Sequence, residues 1–171
     1  RILALLSSMF TMAERWGLRP EGSSPCRYIQ RYREAKRERF LSSAEIVKLG
    51  EALAEAERGN TEPPEAIAAI RLLILTGCRM SEILTLKWEY VDFERRLLLL
   101  PDSKTGAKAV PLGAAALRVL SLLPRLADCP FVLPGRFGRS HLVGLRRPWV
   151  RIREQAGLHD VRIHDLRHSF A

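Results

Sequence analysis

Apolar residues recur at helical spacing from the start of the chain. Leu3, Leu6, Phe10 and Ala13 share one side of residues 2–16, and the spacing predicts an amphipathic helix. Gly17 is placed to close it as a left-handed cap. The pattern then lapses into GLRPEGSSPC (17–26), whose Pro, Gly and Ser read as a linker, and a basic stretch at 27–39 follows. Periodicity resumes at Leu41. Ser42 or Ser43 is the expected N-cap of a helix running to about Glu57, with Glu45 completing a capping box with Ser42. GNTEPP reads as a loop. Pro64 suits the first turn of the next helix, whose apolar face is Ile67, Ile70 and Ile74. Gly77 ends that helix, and another is expected over 80–88.

Residues 96–101 (RLLLLP) and 107–112 (AKAVPL) then read as two strands, with Ser103, Lys104, Thr105 and Gly106 as the turn between them. A helix at 113–123, a short extended piece near FVLPG, a helix over roughly 141–156 and a last helix starting near His164 complete the pattern. The fold class is mainly α with a small antiparallel β-sheet (α+β), without internal repeats. The organisation expected is a helical segment at 1–18, a basic linker at 19–40 and a main domain at 41–171.

Composition sharpens this picture. With 47% apolar and 27% charged residues, 171 residues suffice for a hydrophobic core, and disorder is excluded. No apolar run approaches the roughly 20 residues of a membrane span. The opening RILALLSSMFTMAERW has no small-residue cleavage site, so it reads as an interior helix of a longer protein and not as a signal peptide. Cys26, Cys78 and Cys129 are scattered, odd in number and without a CxxC pair. That argues against a disulfide framework or a zinc site and fits a reducing cytoplasm.

The balance of 28 Lys+Arg against 19 Asp+Glu gives +9, which favours a polyanionic partner, with nucleic acid the commonest. The basic residues cluster. Arg27, Arg31, Arg33, Lys36, Arg37 and Arg39 crowd one stretch. Arg136, Arg139, Arg146, Arg147, Arg151 and Arg153 crowd another. Arginines paired to phosphates release counterions, so DNA binding through these clusters is expected to be salt-sensitive.

Four basic residues stand at places suited to chemistry. Arg79 follows Gly77 at a helix start, where a cation is unfavourable unless an anion is shared. The plainer reading is a surface arginine, or one paired with Glu82 three residues on. Lys104 occupies the hairpin turn, where most lysines are simply solvated, but where a mobile one can reach a substrate and donate a proton. His164 and Arg167 are three apart and share a helical face. Histidine exchanges protons near neutral pH, and arginine offers phosphate a fork of donors. His168 lies one turn from His164 as a packing or supporting residue.

In order, TGCRMSEILTLKW, DSKTGAKAVPL and HDLRHSFA resemble the catalytic domain of the tyrosine recombinase (phage integrase) family over residues 41–171. The preceding helix and basic stretch resemble the end of that family's core-binding domain. The resemblance implies that Arg79 and Arg167 are the two catalytic arginines, Lys104 the hairpin lysine and His164 the histidine of the HxxR motif, with Glu82 supporting Arg79. It implies phosphodiester cleavage through a 3′-phosphotyrosine link. The two guanidiniums would clamp the non-bridging oxygens, His164 would bond the phosphate or move the nucleophile's proton, and Lys104 would protonate the departing 5′ oxygen. Arginines supply the charge, so no metal or other cofactor is expected, and no P-loop implies ATP. The implied partner is double-stranded DNA, with assembly to a tetramer on it in the full-length protein and no membrane association.

The family pattern continues after HxxR with a further His or Trp and then the tyrosine nucleophile. Tyr28, Tyr32 and Tyr90 all precede the motif and read as packing or linker residues. The chain as given is therefore expected to bind DNA without cleaving it and to self-associate through exposed apolar surface. The alternatives are a binding-only or regulatory module on a recombinase fold, a type IB topoisomerase and a generic transcription factor.

Overall fold

The Glu45 backbone N–H donates to the Ser42 hydroxyl at 3.3 Å, and the Ser42 N–H donates to the Glu45 carboxylate at 2.8 Å. This reciprocal cap satisfies two otherwise orphaned donors and starts helix α2 (Ser43–Arg58). The structure, a computed structural model, describes residues 2–30, 32, 38–101 and 106–170. The chain divides into two compact units, Arg1–Arg37 and Glu38–Ala171.

In the first unit, helix α1 spans Ile2–Arg15 and has no buried residue. Gly17 ends it at φ +70°. Its N–H bonds to the Glu14 carbonyl at 3.0 Å and that of Leu18 to the Ala13 carbonyl at 2.9 Å. This paired closure requires a left-handed residue, as expected of Gly17. Tyr28 and Tyr32 are almost fully exposed. Arg31, Arg33, Lys36 and Arg37 lie outside the described residues.

The second unit is built around helix α3 (Pro64–Thr76). Pro64 occupies its first turn at no cost in hydrogen bonds, since that N–H would have no partner in the helix. One apolar face was expected. Instead α3 is buried on nearly every side, through Ala66, Ile67, Ala68, Ala69, Ile70, Leu72 and Leu73, while Ile74 is only partly buried. It packs against α2, α4, α5, α6 and α7, so it is a central helix, and its alanines let neighbours approach closely. Each buried Leu or Ile contributes about 1.5–3 kcal/mol of transfer free energy.

Helix α4 (Met80–Leu84) is shorter than the helix expected over 80–88. The backbone turns extended after Thr85 because residues 86–88 pair with 130–132. The Val132 N–H donates to the Leu86 carbonyl at 2.8 Å and the Trp88 N–H to the Pro130 carbonyl at 2.9 Å. A short 3-10 turn at Trp88–Tyr90 then leads into the sheet.

The sheet has three antiparallel strands in the order β1 (Val91–Asp92), β2 (Leu97–Leu100), β3 (Lys108–Pro111). Only β2 and β3 were expected. With two residues, β1 is too short to show an alternation. In the β2–β3 register Leu97 faces Pro111 and Leu100 faces Lys108. The turn residues Ser103, Lys104 and Thr105 lie outside the described residues.

Helix α5 (Ala114–Leu122) follows. The helix expected from 141 begins only at Arg146, as α6 (Arg146–Gln155). His141 is held in a bridge to Pro134, and Gly144 at φ +80° separates the two segments. Helix α7 is a single turn, Asp165–His168. Among the described residues, no helix is long and apolar enough to cross a membrane.

Candidate active site

Three local devices place the basic residues of the second unit. The first is Gly77. Its φ of +59° ends α3, with its N–H on the Leu73 carbonyl at 3.1 Å, and turns the chain toward Arg79. A Cβ on Gly77 would also lie 2.5 Å from the Phe170 ring. Glycine is therefore required twice, for the backbone angle and for the close approach of Phe170.

The second device is Glu82. Its side chain is only 6% exposed, in the first turn of α4. One carboxylate oxygen accepts the Arg79 backbone N–H at 2.8 Å, and the other accepts the Arg79 Nη1 at 2.7 Å. The same carboxylate accepts the Lys108 Nζ at 2.8 Å. Burial pushes the Glu82 pKa up, but the hydrogen bonds from Lys108 and Arg79 outweigh it and hold the carboxyl below its ordinary range. The spacing of Arg79 and Glu82 suggested their pairing. Lys108 was missed, although a signal existed. In β3 it lies on the same face as buried Val110, and an inward-facing lysine needs an anion.

The third device is α7. Arg167 donates from Nη1 to the Gly77 carbonyl at 2.8 Å, which brings the HxxR segment against the turn that carries Arg79. The Ser169 hydroxyl accepts the Leu41 N–H at 2.8 Å and donates to the Asp165 carbonyl at 2.9 Å, tying α7 to the start of the unit. His164 and His168 meet edge to face at 5.0 Å, and Phe40 meets His168 at 6.4 Å. Partial burial lowers the His164 pKa, and the neighbouring His168 and Arg167 charges lower it further. These surroundings favour the neutral imidazole, which can accept a hydrogen bond or a proton.

The structure therefore joins Arg79, Glu82 and Arg167 through the Gly77–Arg79 turn, with His164 at the N-cap of the short helix that carries Arg167. Lys104 lies outside the described residues. Arg79 and Arg167 each commit one Nη1 donor to the protein, to Glu82 and to Gly77, and present planar N–H groups suited to a tetrahedral oxyanion. A cavity of about 600 Å³ lies elsewhere, among α2, α3 and α5. Arg79, Glu82, His164 and Arg167 do not line it. No group of three or more His, Cys, Asp or Glu side chains among the described residues is placed to hold a metal ion.

The other basic residues divide. Arg39 is bound by Glu45 and Asp160, and Arg151 by the buried Glu62. Arg27, Arg146 and Arg147 are exposed, with Arg27 over the Tyr28 ring at 6.0 Å.

Residues 39–171 match the phage integrase family. The chain belongs to that family. As a phage integrase relative it is 28% identical over 170 residues to a shufflon-specific DNA recombinase of Escherichia coli, covering 98% of this chain and 41% of that protein. It is 31% identical over 144 residues to the tyrosine recombinase XerD of Rhizobium meliloti (strain 1021), covering 77% of this chain and 46% of that one. The chain thus spans under half the length of these relatives. Its fold is also that of a lambda integrase tetramer bound to a Holliday junction, with a TM-score of 0.70 at 22% identity, covering 98% of this chain and 51% of that one. A lambda integrase (75–356) dimer bound to a COC′ core site gives a TM-score of 0.69 at 21% identity, covering 99% and 63%.

Proposed function

We propose that residues 41–171 form the phosphate-handling part of a site-specific DNA recombinase, which cleaves and rejoins strands through a 3′-phosphotyrosine intermediate. Residues 1–18 then belong to a helical DNA-binding domain and 19–40 to a basic linker. The observation that carries this reading is the bond from Arg167 to the Gly77 carbonyl, two residues before Arg79. It links two arginines separated by 87 intervening residues in sequence.

On this reading Arg79 and Arg167 bind the non-bridging oxygens of the scissile phosphate and stabilise the charge that grows there as the nucleophile attacks. Neutral His164 accepts a hydrogen bond from the nucleophile or donates one to the phosphate, with His168 fixing its ring. Lys104 is the general acid for the departing 5′ oxygen. Glu82 positions Arg79. Tyr28, Tyr32 and Tyr90 are not the nucleophile, which this mechanism takes from outside residues 1–171. Residues 1–171 alone then bind DNA without cutting it. Arg27, Arg31, Arg33, Lys36, Arg37, Arg146 and Arg147 contact backbone phosphates, and Arg39 and Arg151 do so from within their ion pairs. Double-stranded DNA is the partner, a tetramer on two duplexes the working assembly, and the cytoplasm the compartment.

The test uses the protein expressed from its full reading frame and a nicked duplex carrying a candidate attachment site. The expected result is a covalent protein–DNA adduct on a denaturing gel, abolished by Arg79→Ala and by Arg167→Ala. Salt-sensitive binding to the same duplex with no adduct would overturn the enzymatic reading in favour of a binding-only module.

A further inference from the structure

We infer that Lys108 is a positioning residue of this site, holding Glu82 so that Arg79 keeps a net positive charge for a phosphate. The inference deepens the function proposed above and rests on Arg79 being a phosphate ligand.

The argument begins with charge. Arg79 and Glu82 alone would form a neutral pair. A guanidinium cancelled by a carboxylate 2.7 Å away attracts a further anion weakly. Lys108 adds a third charge, with its Nζ 2.8 Å from the other Glu82 oxygen. One negative charge is then shared between two cations, and the cluster as a whole stays positive. The surroundings make this matter. The Glu82 side chain is 6% exposed, and those of Arg79 and Lys108 are 27% and 25% exposed, so solvent screens the three groups only in part.

Geometry adds a second consequence. Glu82 oxygen Oε2 receives both the Lys108 ammonium and the Arg79 backbone N–H, while Oε1 receives the Arg79 side chain. Lys108 therefore fixes the carboxylate that fixes Arg79 at both ends. Lys108 also opens β3, in register with Leu100 of β2, at the base of the β2–β3 hairpin. A single ammonium thus joins the hairpin to the turn that carries the first arginine. Removing it frees the Glu82 carboxylate to neutralise Arg79 fully and loosens the hairpin base.

The experiment is an NMR titration of the 171-residue chain with inorganic phosphate at constant ionic strength. It follows the Arg79 and Arg167 Nε–Hε signals and the Glu82 side-chain carboxyl carbon. Lys108→Met is expected to weaken phosphate binding about tenfold, the scale of one partly screened charge at close range. The Glu82 titration midpoint should rise measurably once its cationic partner is gone. Lys108→Arg restores both to near the native values. In a Glu82→Gln background, Lys108→Met should have a clearly smaller effect, because the group it acts through is already neutral. Lys108→Gln, which keeps a donor without the charge, replaces Lys108→Met if thermal melting shows the latter unfolded, and the same weakening is expected. Native-like phosphate binding with an unmoved Glu82 midpoint in the folded variant overturns the inference, as does an equal Lys108 effect with and without the Glu82 charge. Arg79→Ala separates the two levels of argument. If it leaves phosphate binding intact, the reading of Arg79 itself falls, and the inference with it. If it abolishes binding while the Lys108 variants bind normally, only the inference falls.

Discussion

The two arginine-bearing corners of the site are held by opposite means. Arg79 is held by charge, from a buried carboxylate that also binds Lys108. Arg167 is held by shape. Its partner is a neutral backbone carbonyl, and what places that carbonyl is a left-handed glycine with the Phe170 ring seated against it. A charge-held side chain depends on pH and on the loss of one counter-ion. A shape-held one depends on whether a backbone angle and a few cubic ångströms of space survive.

The sharpest way to break the comparison is to remove the charge. Glu82→Ala leaves the Arg79 and Lys108 cations facing each other without their shared anion. It is expected to cost roughly 2–4 kcal/mol, toward the lower side of a fully buried pair because both cations are partly solvated. Urea denaturation with an unchanged slope would measure this. A loss below about 1 kcal/mol would mean that the Arg79 corner is held by packing after all.

Next in size is Gly77→Ala, which tests the corner held by shape. The positive φ and the approach of Phe170 together should cost roughly 1–3 kcal/mol. Adding Phe170→Ala should return part of that cost by relieving the contact. If the double variant is no better than the single one, the strain lies wholly in the backbone angle.

The smallest effects are those of pH, and they fall differently on the two corners. The Glu82 pKa is lowered below its ordinary 4.5. Its contribution is therefore complete above that value and is lost as the pH falls through the lower, folded-state value. Acid titration of stability should be shallower in Glu82→Gln than in the native chain below about pH 4.5. The His164 pKa is lowered from 6.5, so the unfolded chain takes up that proton first. Stability should dip as the pH falls through 6.5, and His164→Asn should flatten that dip while leaving the carboxylate-driven acid limb in place.

Much of this architecture is legible in local sequence, and the reason differs by element. The Ser42–Glu45 box, Pro64 at a helix start and the left-handed Gly17 and Gly77 all act within four residues, so sequence alone carries them. The early end of α4 depends on pairing with a distant segment, Leu86 with Val132, which no local pattern encodes. β1 and His141 pair close by in sequence, with Leu97–Leu98 and with Pro134, but a two-residue strand and a single bridge are too short to leave a hydrophobic alternation. The same divide runs through the site. The Arg79–Glu82 pair is three residues apart and was readable as an option. The bond from Arg167 to Gly77 spans 90 residues, and that from Lys108 to Glu82 spans 26. The alternation in β3 hinted at the second through an inward lysine, and nothing local hinted at the first.

Helix α7 is a single turn, far too short to persist by itself in water. It exists because Gly77 accepts Arg167, Leu41 donates to Ser169, and the Asp165 and Leu166 side chains are buried. Its opening free energy is therefore borrowed from α3 and from the start of the domain. The HxxR residues are not a flexible appendage that samples the right place. They share the cooperative unit of the most deeply buried helix, and in hydrogen-exchange terms α7 should open together with that core and not fray ahead of it.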